Sequence, residues 1–393
     1  MLVQKPIFCD IPLESIYDHD VGKTILSCIQ CGMCAGSCPQ GINPRKIVYL
    51  LNNGFPESIL SSPDILKCVT CYQCSSKCPR EIKLTEVLLP LVKESVLEDL
   101  EDVPEELQKT FENANRYGNP LGESPRKRSD WVNNSTTPIK ILSEHPEPVD
   151  VLWWVESYNS YHPRNITTTL ATAKILNALK VNFGIIGNDE WWAADCVRLA
   201  GEKGLFEENA EKNITTLKKY SYNSIVCSDP HSFDALKHQY PCYGLTKQVN
   251  NIIPFLYSKI KQIKPLLRTE INAKVTYHDP CVLGRHNGYF EEPRELLNAI
   301  PGINLVEMAH NRKNSLCCGG GGGGMWLDTY YKQKGLERLS DRRVKEAIAT
   351  GAEILAVACP YEISRFEDSI KLLGVEDKLV VKDIIDLLAE AMG

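Results

Sequence analysis

Hydrophobic residues in the first hundred positions recur at the spacing of amphipathic helices. One apolar face carries Ile47, Leu50 and Leu51, and another carries Leu84, Val87, Leu88 and Leu91. Asn52-Asn53-Gly54 supplies a stop signal for the first helix, and Pro90 should kink or break the second, which is predicted over Glu81 to Leu100. The pattern predicts a helical domain over residues 1–100.

Short apolar runs dominate from residue 149 onward, with helical periodicity between them. The runs are VLWWV, NFGIIG, NSIVC and EILAVA. Buried strands that alternate with helices predict α/β architecture with parallel pairing. The order strand, helix, glycine- or cysteine-bearing loop, helix, strand occurs twice, which predicts two tandem α/β repeats over residues 149–265 and 266–393. The fold class is therefore α + α/β.

Residues 101–148 are polar, acidic and dotted with proline, and we interpret them as a linker. The linker contains one predicted helix, from Pro104 to Asn115. Trp131 is a candidate anchor for it. We interpret the basic run Arg126-Lys127-Arg128 as a solvated face, with contact to a partner as the alternative.

Composition disfavours several classes of protein. The 393 residues include 43% hydrophobic and 24% charged positions, which is ordinary for a globular protein of two or three domains. A formal charge of −6 without long basic runs disfavours nucleic acid as a partner. The N-terminus lacks a cationic segment followed by an apolar one, and no apolar run reaches the length of about 18 residues that a membrane span needs. A cytoplasmic protein without a direct membrane span is predicted.

Eight of the sixteen cysteines form two repeats of C-x-x-C-x-x-C-x-x-x-C-P. This spacing is typical of proteins that bind two [4Fe–4S] clusters, and in such proteins the fourth cysteine of each motif ligates the other cluster. The predicted ligands of the first cluster are Cys28, Cys31, Cys34 and Cys78. The predicted ligands of the second cluster are Cys68, Cys71, Cys74 and Cys38.

Two zinc sites are the alternative for these eight thiolates, because zinc is also bound by C-x-x-C pairs. The triple two-residue spacing followed by Cys-Pro, found twice, favours iron and inorganic sulfide. Pro39 and Pro79 should turn the chain away from each cluster. Cys9 lies outside both motifs, and we interpret it as a buried or incidental thiol.

The second α/β repeat contains four further cysteines, and six glycines follow the adjacent pair among them. These cysteines are Cys281, Cys317, Cys318 and Cys359. Aligning Asp229-Pro230 of the first repeat with Cys359-Pro360 shows that the first repeat has other residues where the pattern needs cysteine, namely Ser157, Trp192, Asp229 and Ser232. We expect no cluster there, and we interpret Cys196 and Cys227 as packing residues.

The segments HDPCVLGRH, CCGGGGGGMW and ACPY resemble the cysteine-rich CCG domain of heterodisulfide reductase, and the N-terminal motifs resemble the small ferredoxin-like subunit of that enzyme. Outside the linker, the chain resembles the fused D-type subunit. That family includes iron–sulfur subunits of glycolate and glycerol-3-phosphate dehydrogenases and electron-transfer subunits of class II benzoyl-CoA reductases. The resemblance implies a helical two-cluster ferredoxin-like domain followed by two tandem CCG-type repeats.

The resemblance also implies a third iron–sulfur centre on Cys281, Cys317, Cys318 and Cys359. The family motif has five cysteines, and the fifth position is Glu362 here. A cubane completed by four thiolates, to which Glu362 could add an oxygen ligand, a non-cubane cluster, zinc and redox-idle thiols therefore stay open. Gly319 to Gly324 would let the backbone pass close to a cluster and direct N–H groups toward its sulfurs. The run lacks the lysine and hydroxyl of a phosphate-binding loop, and no flavin or nicotinamide site is evident.

Other side chains flank these cysteines in the sequence. His278, Arg285 and His286 lie around Cys281, where they orient a partner or a proton or serve as hydrogen-bonded scaffolding. We expect Trp191, Trp192 and Trp326 to pack and exclude water.

The leading hypothesis is a heterodisulfide reductase-like iron–sulfur subunit of an oxidoreductase complex in anaerobic metabolism. It would relay single electrons between a flavin- or metal-containing partner subunit and a second partner. The first alternative is a catalytic subunit that reduces a disulfide or thioester substrate at the C-terminal centre. The second alternative is a zinc-stabilised assembly scaffold. The sequence assigns no catalytic residue.

Overall fold

The computed structural model describes residues 20–55, 57–60, 63–99 and 103–393. Cys9 lies outside these residues. The regular structure described between residues 20 and 99 is helical. It comprises α1 (Asp20–Leu26), α2 (Met33–Gly36), α3 (Pro44–Asn52), α4 (Glu57–Leu60), a 3₁₀ turn (Pro63–Lys67), α5 (Gln73–Ser76), a π turn (Leu84–Leu88) and α6 (Leu89–Asp99).

Local sequence explains where these helices begin and end. Asn43 accepts a hydrogen bond from the Lys46 amide at 3.1 Å, and Pro44 is the first residue of α3. Helix α3 ends at Asn52, where the Asn-Asn-Gly signal predicts a stop. Pro90 is the second residue of α6, so the predicted break falls where the π turn meets that helix.

The predicted linker packs closely on the α/β part of the chain. Helix α7 (Glu105–Tyr117) contacts α11 (Lys203–Leu217). Trp131 is buried with its ring 5.7 Å from that of Trp153, which confirms its role as an anchor. Two 3₁₀ turns (Pro125–Lys127 and Asp130–Asn134) lie between α7 and the first strand.

The interpretation of Arg126-Lys127-Arg128 as a solvated face is wrong for Arg128. Arg126 and Lys127 are exposed, but the Arg128 side chain is 2% exposed and forms a 2.9 Å ion pair with Glu190. Charge along the sequence cannot reveal this, because the partner lies far away in the chain.

The rest of the chain forms two parallel sheets surrounded by helices. The first sheet contains β1 (Lys140–Ile141), β2 (Val149–Trp154), β3 (Phe183–Ile185), β4 (Tyr222–Cys227) and β5 (Gln248–Asn251), in the order β1-β3-β2-β4-β5. The second contains β6 (Ala273–Tyr277), β7 (Ile303–Val306), β8 (Ile354–Val357) and β9 (Val380–Asp383), in the order β7-β6-β8-β9. Apart from the added edge strand β1, both sheets have the same strand order, and the predicted parallel pairing is confirmed.

Helices connect these parallel strands. Those of the first sheet are α8 (Ser157–Tyr161), α9 (Pro163–Ala178), α10 (Asp195–Ala200), α11, α12 (Pro230–Asp234), α13 (Ile252–Tyr257) and α14 (Ile260–Ile263). Those of the second are α15 (Glu291–Asn298), α16 (Asp328–Gln333), α17 (Leu339–Ala349), α18 (Pro360–Leu373) and α19 (Ile384–Met392). Shorter 3₁₀ and π turns span Ala235–Gln239, Tyr240–Tyr243, Lys264–Leu266, Val282–His286 and Arg312–Asn314.

One hydrophobic core joins the two sheets. It contains Trp153 and Val226 from the first sheet and Tyr277 and Ile354 from the second, and α9 packs against α19. The two sheets therefore form a continuous apolar interior. Among the residues that the structure describes, no helix combines the length and the apolar character that crossing a membrane requires.

Candidate metal centres

The outer cavity lies within the N-terminal helices and has a volume of about 360 Å³. Its lining includes Cys28, Cys31, Cys34 and Cys78. Cys31 is exposed and the other three are half-buried. The side-chain amide of Gln30 donates to the Cys28 sulfur at 3.3 Å. The cavity thus brings together three cysteines of the first motif and the last cysteine of the second.

The middle cavity, of about 340 Å³, has the complementary set of cysteines. Its lining includes Cys38, Cys68, Cys71 and Cys74. Only Cys38 is half-buried, and the other three are buried. Burial raises the pKa of the Cys38 thiol to about 12, and the Thr85 hydroxyl lies 3.3 Å from the Cys74 sulfur. Buried thiolates need a compensating cation, which a metal centre provides.

The inner site lies at the carboxyl ends of β6 and β8, the edge where parallel sheets commonly bind ligands. Cys281 follows β6, Cys359 follows β8, and the Cys317-Cys318 pair lies in the loop between β7 and α16. All four are buried. Cys281, Cys317 and Cys318 belong to one buried cluster.

The surroundings shift the pKa values of Cys318 and Cys359 in opposite directions. A hydrogen bond with Cys317 lowers the pKa of Cys318 well below its usual value. Burial, followed by the charges of Glu362 and Cys318, raises the pKa of Cys359. Four buried cysteine sulfurs at one edge of the sheet are a donor set suited to a metal.

The glycine run lies between the inner site and the second N-terminal motif. The Gly319 amide donates to the Cys317 sulfur at 3.3 Å, as expected of an N–H directed at sulfur. A Cβ on Gly321 would lie 2.7 Å from the Val69 carbonyl oxygen, and one on Gly322 would lie 2.8 Å from that of Cys68. The glycines thus permit a close approach to the second motif, which the sequence alone does not indicate.

The middle cavity and the inner site adjoin each other. Cys71, which lines the middle cavity, belongs to the same buried cluster as Cys317 of the inner site. Arg285 joins the two regions, because its guanidinium donates to the Cys71 carbonyl at 2.7 Å and to the Ser315 carbonyl at 2.6 Å. A hydrogen bond with Cys317 and the charge of Arg285 lower the pKa of Cys71 to about 6.

Lys93 is a functional candidate that sequence reasoning missed. Its fully buried ammonium donates to the carbonyls of Cys68 at 2.6 Å, Gly322 at 2.8 Å and Leu199 at 3.2 Å. All three donors of the ammonium are therefore used. Burial lowers its pKa to about 8. The sequence feature that could have identified Lys93 is its position in an apolar stripe of α6, between Leu89 and Val96.

Glu362 and His278 are buried beside Cys318. The ligating atoms of these three side chains lie within 4.8 Å of one another. His278 Nε2 is 3.1 Å from Glu362 Oε1, and Arg343 Nε donates to His278 Nδ1 at 2.9 Å. Glu362 Oε2 is buried without a hydrogen-bond partner among the described residues, and burial raises the pKa of this carboxyl to about 7. An orphaned buried carboxylate oxygen beside the Cys318 sulfur fits a metal centre.

Capping and packing residues occupy the positions of the first repeat that lack cysteine. Asp229 accepts a hydrogen bond from the Ser232 amide at 2.7 Å and caps α12. Trp192 packs in the core, 5.7 Å from the Trp326 ring. Ser157 accepts a hydrogen bond from Arg128 at 3.3 Å. Cys196 and Cys227 are buried in the same hydrophobic cluster as Trp192, which confirms their interpretation as packing residues.

The basic residues that follow Cys281 are scaffolding, one of the two interpretations made from the sequence. His286 forms an ion pair with Asp234 at 2.5 Å and stacks on Tyr72 with ring centroids 4.2 Å apart. Because Arg285 also holds backbone carbonyls, both residues tie the second motif to the α/β repeats. Trp191 is half-buried and packs under the Lys212 ammonium at 4.5 Å.

Two family profiles match the chain. The 4Fe-4S dicluster domain matches residues 27–82, which contain both N-terminal motifs. The CCG cysteine-rich domain matches residues 275–361, which contain the four inner cysteines. Among curated proteins, the D-type subunit of the dihydromethanophenazine:CoB–CoM heterodisulfide reductase of Methanosarcina mazei is 32% identical over 288 residues. The chain is a homologue of the D-type subunits of heterodisulfide reductases and of iron–sulfur oxidoreductases.

Two further homologues are bacterial oxidoreductases. FadF of Bacillus subtilis, a probable iron–sulfur-binding oxidoreductase, is 32% identical over 72% of this chain and 40% of its own length. The EtfAB:quinone oxidoreductase of Syntrophomonas wolfei is 27% identical over 74% of this chain and 41% of its own length. The Methanosarcina mazei match covers 71% of this chain and 66% of the relative. The chain therefore spans about two fifths of the first two relatives and about two thirds of the third.

Proposed function

We propose that the chain is an electron-transfer subunit of a heterodisulfide reductase-like oxidoreductase complex, in which the outer, middle and inner sites form one path. The observation that carries this proposal is the pair of hydrogen bonds by which Arg285 joins the Cys71 carbonyl of the middle site to the Ser315 carbonyl beside the inner site. When bound, iron–sulfur clusters supply one-electron chemistry. The chain holds the sites in series and excludes water from the inner two.

The ligand sets of the proposal are those predicted from the sequence. Each N-terminal set lines one cavity, with three cysteines from one motif and the last cysteine of the other, which supports two sites of the same kind. Cys281, Cys317, Cys318 and Cys359 would hold the third centre. The proposed domains are residues 1–100, a linker over 101–148, a degenerate CCG-type repeat over 149–265 and a CCG-type repeat over 266–393.

Burial gives the path a direction. The outer site has an exposed cysteine, whereas the middle site has mostly buried cysteines and the inner site only buried ones. A partner protein therefore reaches the outer site most easily. The names of the homologues, a quinone oxidoreductase and a heterodisulfide reductase subunit, support partner subunits in a larger complex, with a flavin- or metal-containing donor. A cytoplasmic location is part of the proposal.

Burial also favours relay over catalysis at the inner site. Direct reduction of a disulfide or thioester requires the substrate to reach a sulfur atom. Cys317 is 2% exposed and Cys359 is 4% exposed, so neither sulfur is open to a substrate of that size. Turnover of such substrates by the reduced protein would support the catalytic alternative.

The test is metal and sulfide analysis of anaerobically purified protein, followed by electron paramagnetic resonance of the reduced protein. We expect about twelve irons per chain, four for each of three centres, whereas two cubanes alone give about eight. Cys317→Ser should leave the N-terminal signals and remove the third. A colourless protein, or zinc without acid-labile sulfide, would contradict the proposal and favour the scaffold alternative.

A further inference from the structure

We infer that Glu362 supplies an oxygen ligand to the metal centre of the inner site, and that His278 and Arg343 hold its carboxylate in the ligating orientation. The inference rests on the proposed function, since it takes the inner cysteines as metal ligands. It assigns a role to the residue that stands where the family motif has its fifth cysteine.

The first support is the burial of the carboxylate. Helix α18 begins at Pro360, which places Glu362 in its first turn directly after Cys359. The side chain is 1% exposed, and its Oε2 atom has no hydrogen-bond partner among the described residues. Burying an unpaired carboxylate oxygen is unfavourable unless a cation or donor compensates it. A metal ion beside Oε2 provides that compensation.

The second support is the spacing of the donors. Two ligand atoms bound to one metal at about 2.0 to 2.3 Å are separated by less than about 4.6 Å. The Cys318 sulfur, a Glu362 carboxylate oxygen and a His278 nitrogen lie within 4.8 Å of one another. Glu362 and Cys318 are therefore spaced almost as ligands of one metal require.

The hydrogen bonds of His278 separate its role from that of Glu362. The Arg343 guanidinium keeps its protons in proteins, and its Nε donates to His278 Nδ1 at 2.9 Å. Nδ1 is thus an acceptor, so the ring carries its proton on Nε2. Against the effect of burial, the charge of Glu362 raises the pKa of His278 to about 9, but a second ring proton on Nδ1 would face the Arg343 N–H, so the contact with Arg343 decides the tautomer. The protonated Nε2 faces Glu362 Oε1 at 3.1 Å and has no lone pair for a metal. His278 is therefore a positioning residue that acts through the 3.1 Å electrostatic contact of Nε2 with Oε1, and neither Nε2 nor Oε2 has a hydrogen-bond partner among the described residues.

Arg343 is itself fixed in place. Its Nη1 donates to Glu346 Oε2 at 2.6 Å and to the His310 carbonyl at 2.7 Å, and its side chain is fully buried. The series Glu346, Arg343, His278 and Glu362 runs from a partly exposed carboxylate to the inner site. Outer hydrogen bonds of this kind orient metal ligands.

The test compares Glu362→Gln, Glu362→Cys and His278→Gln with Glu367→Gln, a control on the outer part of the same helix. The readouts are iron per chain, Mössbauer spectra and electron paramagnetic resonance of the reduced protein, with the N-terminal signals as an internal reference. We expect the wild-type protein to contain one iron with oxygen-type Mössbauer parameters. Both Glu362 variants should lose the Mössbauer signal of this iron. His278→Gln should shift the Mössbauer parameters of this iron, and Glu367→Gln should leave them unchanged.

The outcomes distinguish this inference from the proposed function. A wild-type spectrum of the third centre that persists unchanged in Glu362→Gln and Glu362→Cys would overturn the ligand assignment alone. Wild-type protein with iron only in the two N-terminal sites would overturn the proposed function together with this inference. An altered spectrum in His278→Gln with normal iron content and folding would confirm the positioning role.

Discussion

Two cations lie beside the cysteines of the middle site, of which Lys93 is buried and Arg285 is half-buried. Lys93 and Arg285 donate to the carbonyls of Cys68 and Cys71, two lining residues of the middle cavity. Reduction adds negative charge to an iron–sulfur cluster, and a nearby buried cation stabilises that charge because screening is weak inside a protein. These two side chains therefore favour the reduced state at the middle site.

Replacing Lys93 with Met should lower the reduction potential of the middle site and destabilise the fold. The change removes a buried charge and leaves three carbonyls without their donor, which should cost about 2 to 4 kcal/mol of unfolding free energy. Redox titration followed by electron paramagnetic resonance, and chemical unfolding, measure the two effects. Lys109→Met, at an exposed position on α7, is the control. Equal potentials in both variants would contradict the role of Lys93.

A second prediction concerns the contribution of the Arg128–Glu190 ion pair to stability. Arg128→Met should lower the free energy of unfolding by about 3 to 5 kcal/mol, because it leaves a buried carboxylate unpaired. Arg126→Met, next to it but exposed, should change stability by less than about 0.5 kcal/mol. The double variant Arg128→Met/Glu190→Gln should recover part of the loss. Chemical unfolding of the three proteins measures this, and equal stability of the two single variants would refute the burial argument.

Among the structural elements, the glycine run has the most specific requirements. Gly322 combines a φ of +56° with an added Cβ position 2.8 Å from the Cys68 carbonyl oxygen. Gly335 has a similar φ of +68° but open space around it. Comparing substitutions at the two positions therefore separates the loss of unfolding free energy caused by the left-handed backbone from the loss caused by the close contact.

Gly335→Ala should lower the free energy of unfolding by only about 1 to 2 kcal/mol, because alanine is less stable than glycine in the left-handed conformation. Gly322→Ala should cost more, because the methyl group would push the glycine run away from Cys68 and from the Lys93 ammonium. Thermal or chemical unfolding of the two variants gives the comparison, and the Gly322 variant should also bind less iron. Similar losses in both variants would show that close approach contributes little.

Sequence pattern predicted elements better than it predicted their contacts. The strands and the stop at Asn52-Asn53-Gly54 follow from local apolar runs and turn residues, so their positions agree with the structure. The cysteine spacing groups the cluster ligands because each motif is local. Contacts such as Lys93 with Gly322, 229 residues apart, depend on how separate elements pack. Periodicity along the chain contains no information of that kind.

Charge is distributed unevenly over the whole molecule. The net charge is −6, yet residues 21–55 contain three basic residues and no acidic one. This segment contributes Cys28, Cys31, Cys34 and Arg45 to the outer cavity. A local positive potential around an electron entry site attracts anionic partners and raises their association rate.

Arg45→Glu/Lys46→Glu should slow reduction of the protein by anionic dithionite several-fold and speed reduction by the cationic methyl viologen radical. Stopped-flow measurement at low and high salt tests this, since salt screens both effects. Lys371→Glu/Lys378→Glu makes the same charge change at exposed positions of the C-terminal repeat and should leave both rates nearly unchanged. Equal effects of the two double variants would place electron entry elsewhere.

Removal of iron should affect the two parts of the molecule differently. The N-terminal core includes the side chains of six predicted ligands, Cys28, Cys34, Cys38, Cys68, Cys74 and Cys78. The core that joins the two sheets is built from aliphatic and aromatic side chains. After anaerobic chelation we expect proteases to cleave within residues 20–99 and to spare residues 149–393. Uniform digestion of the chain would contradict this.

The first repeat contains Trp192 and a capping Asp229 where the pattern calls for cysteine, so its interior is complete without any inorganic component. We therefore expect this repeat to stay folded when the cysteine sites elsewhere in the chain are empty, so that it is a fixed support against which those sites can bind iron again.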